Sequence, residues 1–129
     1  MCFQKKPLIA ELPLCSVVLE TKSYPWILLI PRRPNVLQMN HLSELDQQQL
    51  MTEIRIASGI MEKLFPTDRL NVAAIGNKTP QLHVHIISRT KSDPLWPETV
   101  WGQPMDSLEG ALLEERVQRL RDAFAPYEK

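Results

Sequence analysis

Cysteine is scarce in this chain, charge imbalance is absent, and no long apolar run occurs. Two cysteines, Cys2 and Cys15, do not make a disulfide framework. Cys15 lies in an apolar run and reads as a small core residue rather than a reactive thiol. Fifteen Lys and Arg balance fifteen Asp and Glu, so the formal net charge is zero. A general nucleic-acid binder carries a basic excess; this chain has none, although a local site for a small anion stays open. The longest apolar run, Trp26–Pro31, is far shorter than the roughly 20 residues of a membrane-spanning helix. The N-terminus has neither a secretory h-region nor transit-peptide character. These absences predict a reducing, cytoplasmic setting with no membrane partner and no nucleic acid.

What remains is an ordinary globular composition on 129 residues, enough for one domain over 1–129 with its own core. Met1–Pro13 holds two prolines and little periodicity and reads as an irregular lead-in. Leu14–Glu20 is rich in Val and Leu and reads as a strand; Trp26–Pro31 (WILLIP) does not alternate and reads as a second strand buried on both faces. The two suggest an antiparallel hairpin. Ser43 with Asp46 is a capping box. Leu50, Ile54, Ala57, Met61 and Leu64 then keep helical spacing up to Pro66. Arg69–Gly76 and Leu82–Arg89 read as two more strands around a turn at Asn77–Pro80. Lys91–Pro104, with three prolines and two tryptophans, reads as an extended strap. Asp106 with Glu109 opens a C-terminal helix over 106–125. The order gives an α+β domain on an antiparallel sheet, with a core at 14–102.

The informative pattern is on the last strand. Alternate side chains point to opposite faces, so Gln81, His83 and His85 share one face, while Leu82, Val84 and Ile86 share the other and turn to the core. A merely solvated face uses Lys, Glu or Thr more readily than His. Histidine changes charge near neutral pH and attacks phosphorus or acyl carbon as a neutral imidazole. Two such histidines also suit zinc, but zinc needs a third or fourth ligand. His41, Cys2 and Cys15 stand at no diagnostic spacing, so neither a metal nor another cofactor is expected.

The segment Gln81-Leu82-His83-Val84-His85-Ile86-Ile87 resembles the histidine triad, His-φ-His-φ-His-φ-φ with φ apolar. Its setting is similar to the triad family as well. Asn71, Gly76 and Asn77 fall on the preceding strand and turn, Ile30-Pro31-Arg32-Arg33 closes the upstream hairpin, and a helix separates the two hairpins. The resemblance covers roughly Leu14 to Trp101. Asp93-Pro94-Leu95-Trp96-Pro97 with Val100-Trp101-Gly102 resembles a bacterial subgroup of that family. It implies a five-stranded antiparallel sheet with a central and a C-terminal helix, joining a second subunit as a ten-stranded sheet in a homodimer. It implies a nucleotidyl hydrolase or transferase binding a purine nucleotide or nucleotide conjugate. His83 would be the nucleophile at the α-phosphorus, and His85 would bond the phosphate or the departing oxygen. Asn71 and Asn77 would lie by the phosphate. The departing group would be an amine, a phosphate or a second nucleotide.

Two departures from the pattern matter. Gln81 replaces the first histidine; Gln keeps hydrogen bonding but carries no proton charge. This favours binding over proton transfer and opens an alternative, a nucleotide-binding or interaction module with little turnover. The phosphate loop is reduced to Gly76-Asn77-Lys78-Thr79-Pro80, where Lys78 either adds a charge at the phosphate or is a solvated turn lysine. Trp96 and Trp101 stack on a base or pin the strap to the body or to a partner subunit. His41, Arg32 and Arg33 read as surface residues.

Overall fold

The computed structural model describes residues 2–129; Met1 lies outside the described residues, and the side chains of Cys2 and Gln4 are likewise not described. Five strands form one sheet: β1 (Leu8–Glu11), β2 (Cys15–Leu19), β3 (Trp26–Pro31), β4 (Arg69–Ala74) and β5 (Val84–Arg89). Their order is β1-β2-β3-β5-β4, and every pair is antiparallel. Two helices, α1 (Glu44–Leu64) and α2 (Gly110–Phe124), pack on one face. No helix among the described residues is long and apolar enough to cross a membrane.

The hairpin of β2 and β3 pairs Cys15 with Pro31 and Leu19 with Ile27. β3 is buried at five of its six positions, as its lack of alternation predicts. The lead-in is not irregular: Leu8–Glu11 adds β1 to the edge of β2, with a register irregularity between Leu8 and Ala10. A strand this short, on an edge, tolerates the prolines near its ends, Pro7 and Pro13, because neither has to donate an N–H to the ladder; the Pro7 carbonyl still accepts from the Leu19 N–H at 2.9 Å. It completes the five strands that the resemblance implies and the residue pattern alone does not.

α1 begins where its cap predicts. Ser43 Oγ accepts from the Asp46 N–H at 3.1 Å. The box is only half closed, because the Asp46 carboxylate turns instead to Arg33 at 2.6 and 3.1 Å. Leu50, Ala57, Ile60 and Met61 face the sheet, and so does one charge, Glu53, which is 1% exposed. Its two oxygens accept the Leu14 and Cys15 N–H groups, each at 2.8 Å, and Gln49 donates to it at 2.7 Å. A buried carboxylate with three donors is satisfied, and it ties the helix to the β1–β2 turn. Burial, then the Glu53 charge, pushes the Cys15 thiol far up, so this free cysteine is an inert core residue.

α2 starts three residues later than the Asp106 cap predicts, at Gly110, and its N-cap Glu109 makes no side-chain capping bond. Residues 106–108 are engaged elsewhere. The Ser23 N–H donates to the Asp106 carbonyl, and the Leu108 N–H to that of Thr21, both at 2.8 Å; Lys22 and Ser107 form a bridge. The chain end is therefore pinned beside the β2–β3 connection before it can coil.

The three inner strands, β2, β3 and β5, have both faces covered. Val17, Leu19, Ile27, Leu29, Val84 and Ile86 meet the helices, with Leu120 and Phe124 of α2 behind them. On the other face Val18, Trp26, Leu28 and Ile87 are covered by Val100, with Leu95 and Trp101 of the strap, Met105 just after it and Phe3 of the N-terminal turn packed against them.

Candidate functional site

All six residues of β5 are buried, so the histidine face is covered rather than solvated. Gln81, Leu82 and His83 also precede β5 rather than belong to it. β4 ends at Ala74 instead of Gly76, leaving them no partner there; Leu82 donates instead to the Val36 carbonyl of the post-β3 loop at 2.9 Å. The alternation nonetheless holds through this segment, and the inward set Leu82, Val84 and Ile86 joins the helix-side core as expected.

His83 lines a cleft of about 580 Å³. One wall is Leu37–Asn40; the other is Gly76, Asn77 and Pro80 of the turn between β4 and β5. Gly76 sits in close quarters: a Cβ there would lie 3.2 Å from the Thr79 carbonyl oxygen, which would have to give by a few tenths of an ångström, and 4.0 Å from His83 Cε1. His83 Nδ1 lies 2.6 Å from the Gln81 main-chain oxygen. A carbonyl only accepts, so Nδ1 carries a proton, and in the neutral ring Nε2 holds the lone pair. Gln81 thus orients His83 through its backbone, not its side chain. The Gln81 amide makes only long contacts of 3.5 Å, to the Pro31 and Leu82 carbonyls.

His85 lies behind His83, with ring centroids 5.0 Å apart. The Trp26 Nε1–H donates to His85 Nδ1 at 3.0 Å. The register sets Leu28 opposite His85, so Trp26 reaches it diagonally from β3. An indole only donates, so Nδ1 must be bare and the neutral ring carries its proton on Nε2. Burial above all, then the charge of His83, lowers His85 to about 4. The Ile75 carbonyl lies near enough to oppose this slightly, but Nε2 makes no hydrogen bond of normal geometry. Trp101 meets the His85 ring edge-on at 5.3 Å, and Phe3 meets His83 edge-on at 4.9 Å.

Of the remaining expected residues, Asn77 lines the cleft beside His83 and exposed Lys78 does not. Asn71 does not reach the cleft; its Oδ1 accepts from Arg89 Nη1 at 2.9 Å. Arg89 is 2% exposed and forks onto Asp93 at 2.8 and 3.0 Å, between the rings of Tyr24 and Trp96. This bidentate bond holds the Asp93 carboxyl down at about 2. Trp96 therefore pins the strap to the body, one of its two expected roles. No group of three His, Cys, Asp or Glu among the described residues could hold a metal.

Sequence reasoning missed Trp26, the Arg89–Asp93 pair, Phe3 and the cleft wall Leu37–Asn40. A signal existed for Trp26 alone: pairing WILLIP antiparallel with the histidine strand puts an indole within diagonal reach of a histidine. The others depend on where loops return, which no local pattern encodes.

A HIT domain model matches residues 4–92. A histidine triad protein of Bradyrhizobium japonicum is 40% identical, with a TM-score of 0.87 over 93% of this chain and 91% of its own. Another from Marinobacter aquaeolei VT8 is 34% identical, with a TM-score of 0.90 over 96% and 92%. A third, from Sinorhizobium meliloti 1021, is 30% identical, with a TM-score of 0.87 over 93% and 90%. No curated protein matches the sequence. The fold is that of the histidine triad proteins. The chain belongs to the HIT domain family, one of nucleotide-binding hydrolases and transferases.

Proposed function

We propose that the protein binds a purine nucleotide or nucleotide conjugate in the cleft beside His83 and acts as a nucleotidyl hydrolase or transferase at the α-phosphate. One observation carries this: the 2.6 Å bond from His83 Nδ1 to the Gln81 carbonyl, which leaves Nε2 as the nucleophilic nitrogen. Nε2 attacks the α-phosphorus, the N–P bond forms, and the bond to the departing group breaks with its electron pair. The positive charge left on the ring is shared through Nδ1–H with the carbonyl. Water then attacks phosphorus, loses its proton to solvent and frees the neutral imidazole, or a second acceptor takes the nucleotidyl group. Asn77 contacts the phosphate, and exposed Lys78, next to it on the same turn, adds positive charge without lining the cleft.

The site acts in a cytoplasmic homodimer, in the subgroup that carries Gln in the first triad position. β4 is an edge strand with Val72 exposed, and pairing through it gives a ten-stranded sheet with C2 symmetry. Light scattering at micromolar concentration should report twice the chain mass; a monomer removes the dimer.

A second reading, a binding module with little turnover, is favoured by the Gln81 amide, which makes no contact with His83. Mass spectrometry decides between the two after incubation with a nucleoside phosphoramidate or a dinucleoside polyphosphate. A nucleotidyl adduct on His83 supports the enzyme. Saturable binding with no adduct and no product supports the module.

A further inference from the structure

A second groove, of about 780 Å³, runs between α1 and α2 and shares no lining residue with the histidine cleft. Its α1 wall extends from Arg55 to Leu64, roughly 14 Å or two and a half turns. Ile56, Ile60, Leu64 and Ala123 give it an apolar lining that backs onto the helix-side core. Three cations stand around that lining: Arg55, Lys63 and Arg119. None pairs with a carboxylate among the described residues. Arg119 donates to the Leu64 carbonyl at 2.8 Å and lies over the Phe65 ring, which holds its guanidinium at the groove without neutralising it. The lining has one acid, Asp122, whose Oδ1 already accepts from Gln118 at 2.8 Å. A chain of zero net charge thus gathers three cations against one acid around an apolar strip. Gly59 lies in the same wall. Glycine weakens a helix interior relative to alanine, yet a Cβ there would meet nothing within 4 Å. No contact within this chain asks for a glycine; its effect is to leave the groove unfilled.

We propose that this groove docks an acidic amphipathic segment of another protein, two to three helical turns long. Its apolar side lies along Ile56, Ile60 and Ala123, and its carboxylates meet Arg55, Lys63 and Arg119. An apolar strip rimmed by one sign of charge suits a partner of the opposite sign. A small molecule would be poorly enclosed, because ligand pockets cover most of their ligand and here Arg55, Gly59, Lys63, Arg119, Asp122 and Tyr127 are all exposed. A second copy of this chain would set the rim against itself across a two-fold axis, cation against cation. Docking at this groove is independent of the chemistry at His83 and is measured without it.

The probe is a fluorescein-labelled peptide of about three helical turns, with Leu at i, i+3, i+4 and i+7 and Glu on the flanks. Anisotropy with the full chain should show saturable binding. Arg55→Glu with Lys63→Glu should weaken it by at least about 10-fold, since two attractions become repulsions. Gly59→Leu puts a side chain into the groove and should weaken binding as much while its urea midpoint rises, so that lost binding is not lost folding. In ¹⁵N-labelled protein the Gly59 and Lys63 amides should shift as the peptide binds, and the Asn77 amide should stay. No saturable binding overturns the proposal. So does equal binding of a peptide with Lys for Glu, or wild-type affinity in either variant, or shifts at Asn77 without shifts at Gly59. Tighter binding of anionic phospholipid vesicles or of a single-stranded RNA, lost in the charge-reversed variant, assigns the groove to a membrane or a nucleic acid and overturns the peptide. A fall in the light-scattering mass of that variant makes the groove a self-contact and overturns it as well.

Discussion

Along the inner strands the two faces of the sheet are both buried, yet they are built from different materials. Toward the helices, Leu82, Val84 and Ile86 of the histidine segment meet an apolar core that needs only volume and shape. Toward the strap, His83, His85 and Arg89 alternate with them along the same few residues, and each is held by a named bond. One strand thus serves stability on one side and chemistry on the other. The difference teaches that burial by itself says little about role. On the strap side the polar groups are buried in order to be oriented, and low local dielectric makes each bond count for more.

Breaking the chemical side at its centre should have the largest effect. His83→Ala should lower turnover by at least about 10³-fold, the scale on which nucleophile losses fall, with an unchanged circular dichroism spectrum. Hydrolysis at the wild-type rate in that variant would sink the covalent mechanism.

Stability variants sharpen the contrast. Ile86→Ala opens a cavity on the helix side and should cost about 2–5 kcal/mol. Arg89→Ala strands the Asp93 carboxylate and should cost about 3–5 kcal/mol. The double change Arg89→Met with Asp93→Leu should recover most of that loss, since a buried pair replaced whole is often neutral. No second change of this kind repairs Ile86→Ala without refilling its volume. Urea unfolding of the three variants tests this, and a double variant as weak as Arg89→Ala would contradict it.

Acid offers a smaller, graded test. His85 falls from 6.5 to about 4 on folding, so the unfolded chain binds the extra proton between those values. Stability is therefore complete above about pH 6.5 and declines as pH drops toward 4, by about 3 kcal/mol in all. Asp93, lowered from 3.8 to about 2, loses its contribution only below that window. Unfolding free energies from pH 7 to pH 4 should slope in the wild type and flatten in His85→Gln. Equal slopes would remove His85 as the cause.

Gln81→His should have the smallest effect. The amide touches only carbonyls at 3.5 Å, while the main chain orients His83. A histidine there should raise kcat by about 10²-fold or less, the low end for acid–base assistance, with Kd little changed. A flat rate or lost binding would make Gln81 a structural residue and advance the binding-module reading.

Much of this was legible in particular residues. WILLIP signalled a strand buried on both faces, Ser43 marked the start of the central helix, and the His-Val-His alternation marked the strand that carries the site. β1 was hidden because its four residues lie between prolines and derive their order from β2. Glu53 was hidden because a carboxylate in an apolar stripe looks like an exposed residue until the two N–H groups of Leu14 and Cys15 arrive from 38 and 39 positions away. The late start of α2 was decided by the pairing of residues 106–108 with 21–23, a tertiary competitor that outweighed a local capping signal.

The hydrogen bond from Trp26 to His85 makes the reacting centre its own optical probe. An indole beside a neutral imidazole emits normally, whereas a protonated imidazole quenches it. His85 Nδ1 can gain a proton only by giving up the Trp26 N–H. Titration of this ring therefore dims and shifts ultraviolet emission from a tryptophan already in the fold, and the state of the site is readable in the native protein without a dye or an altered residue.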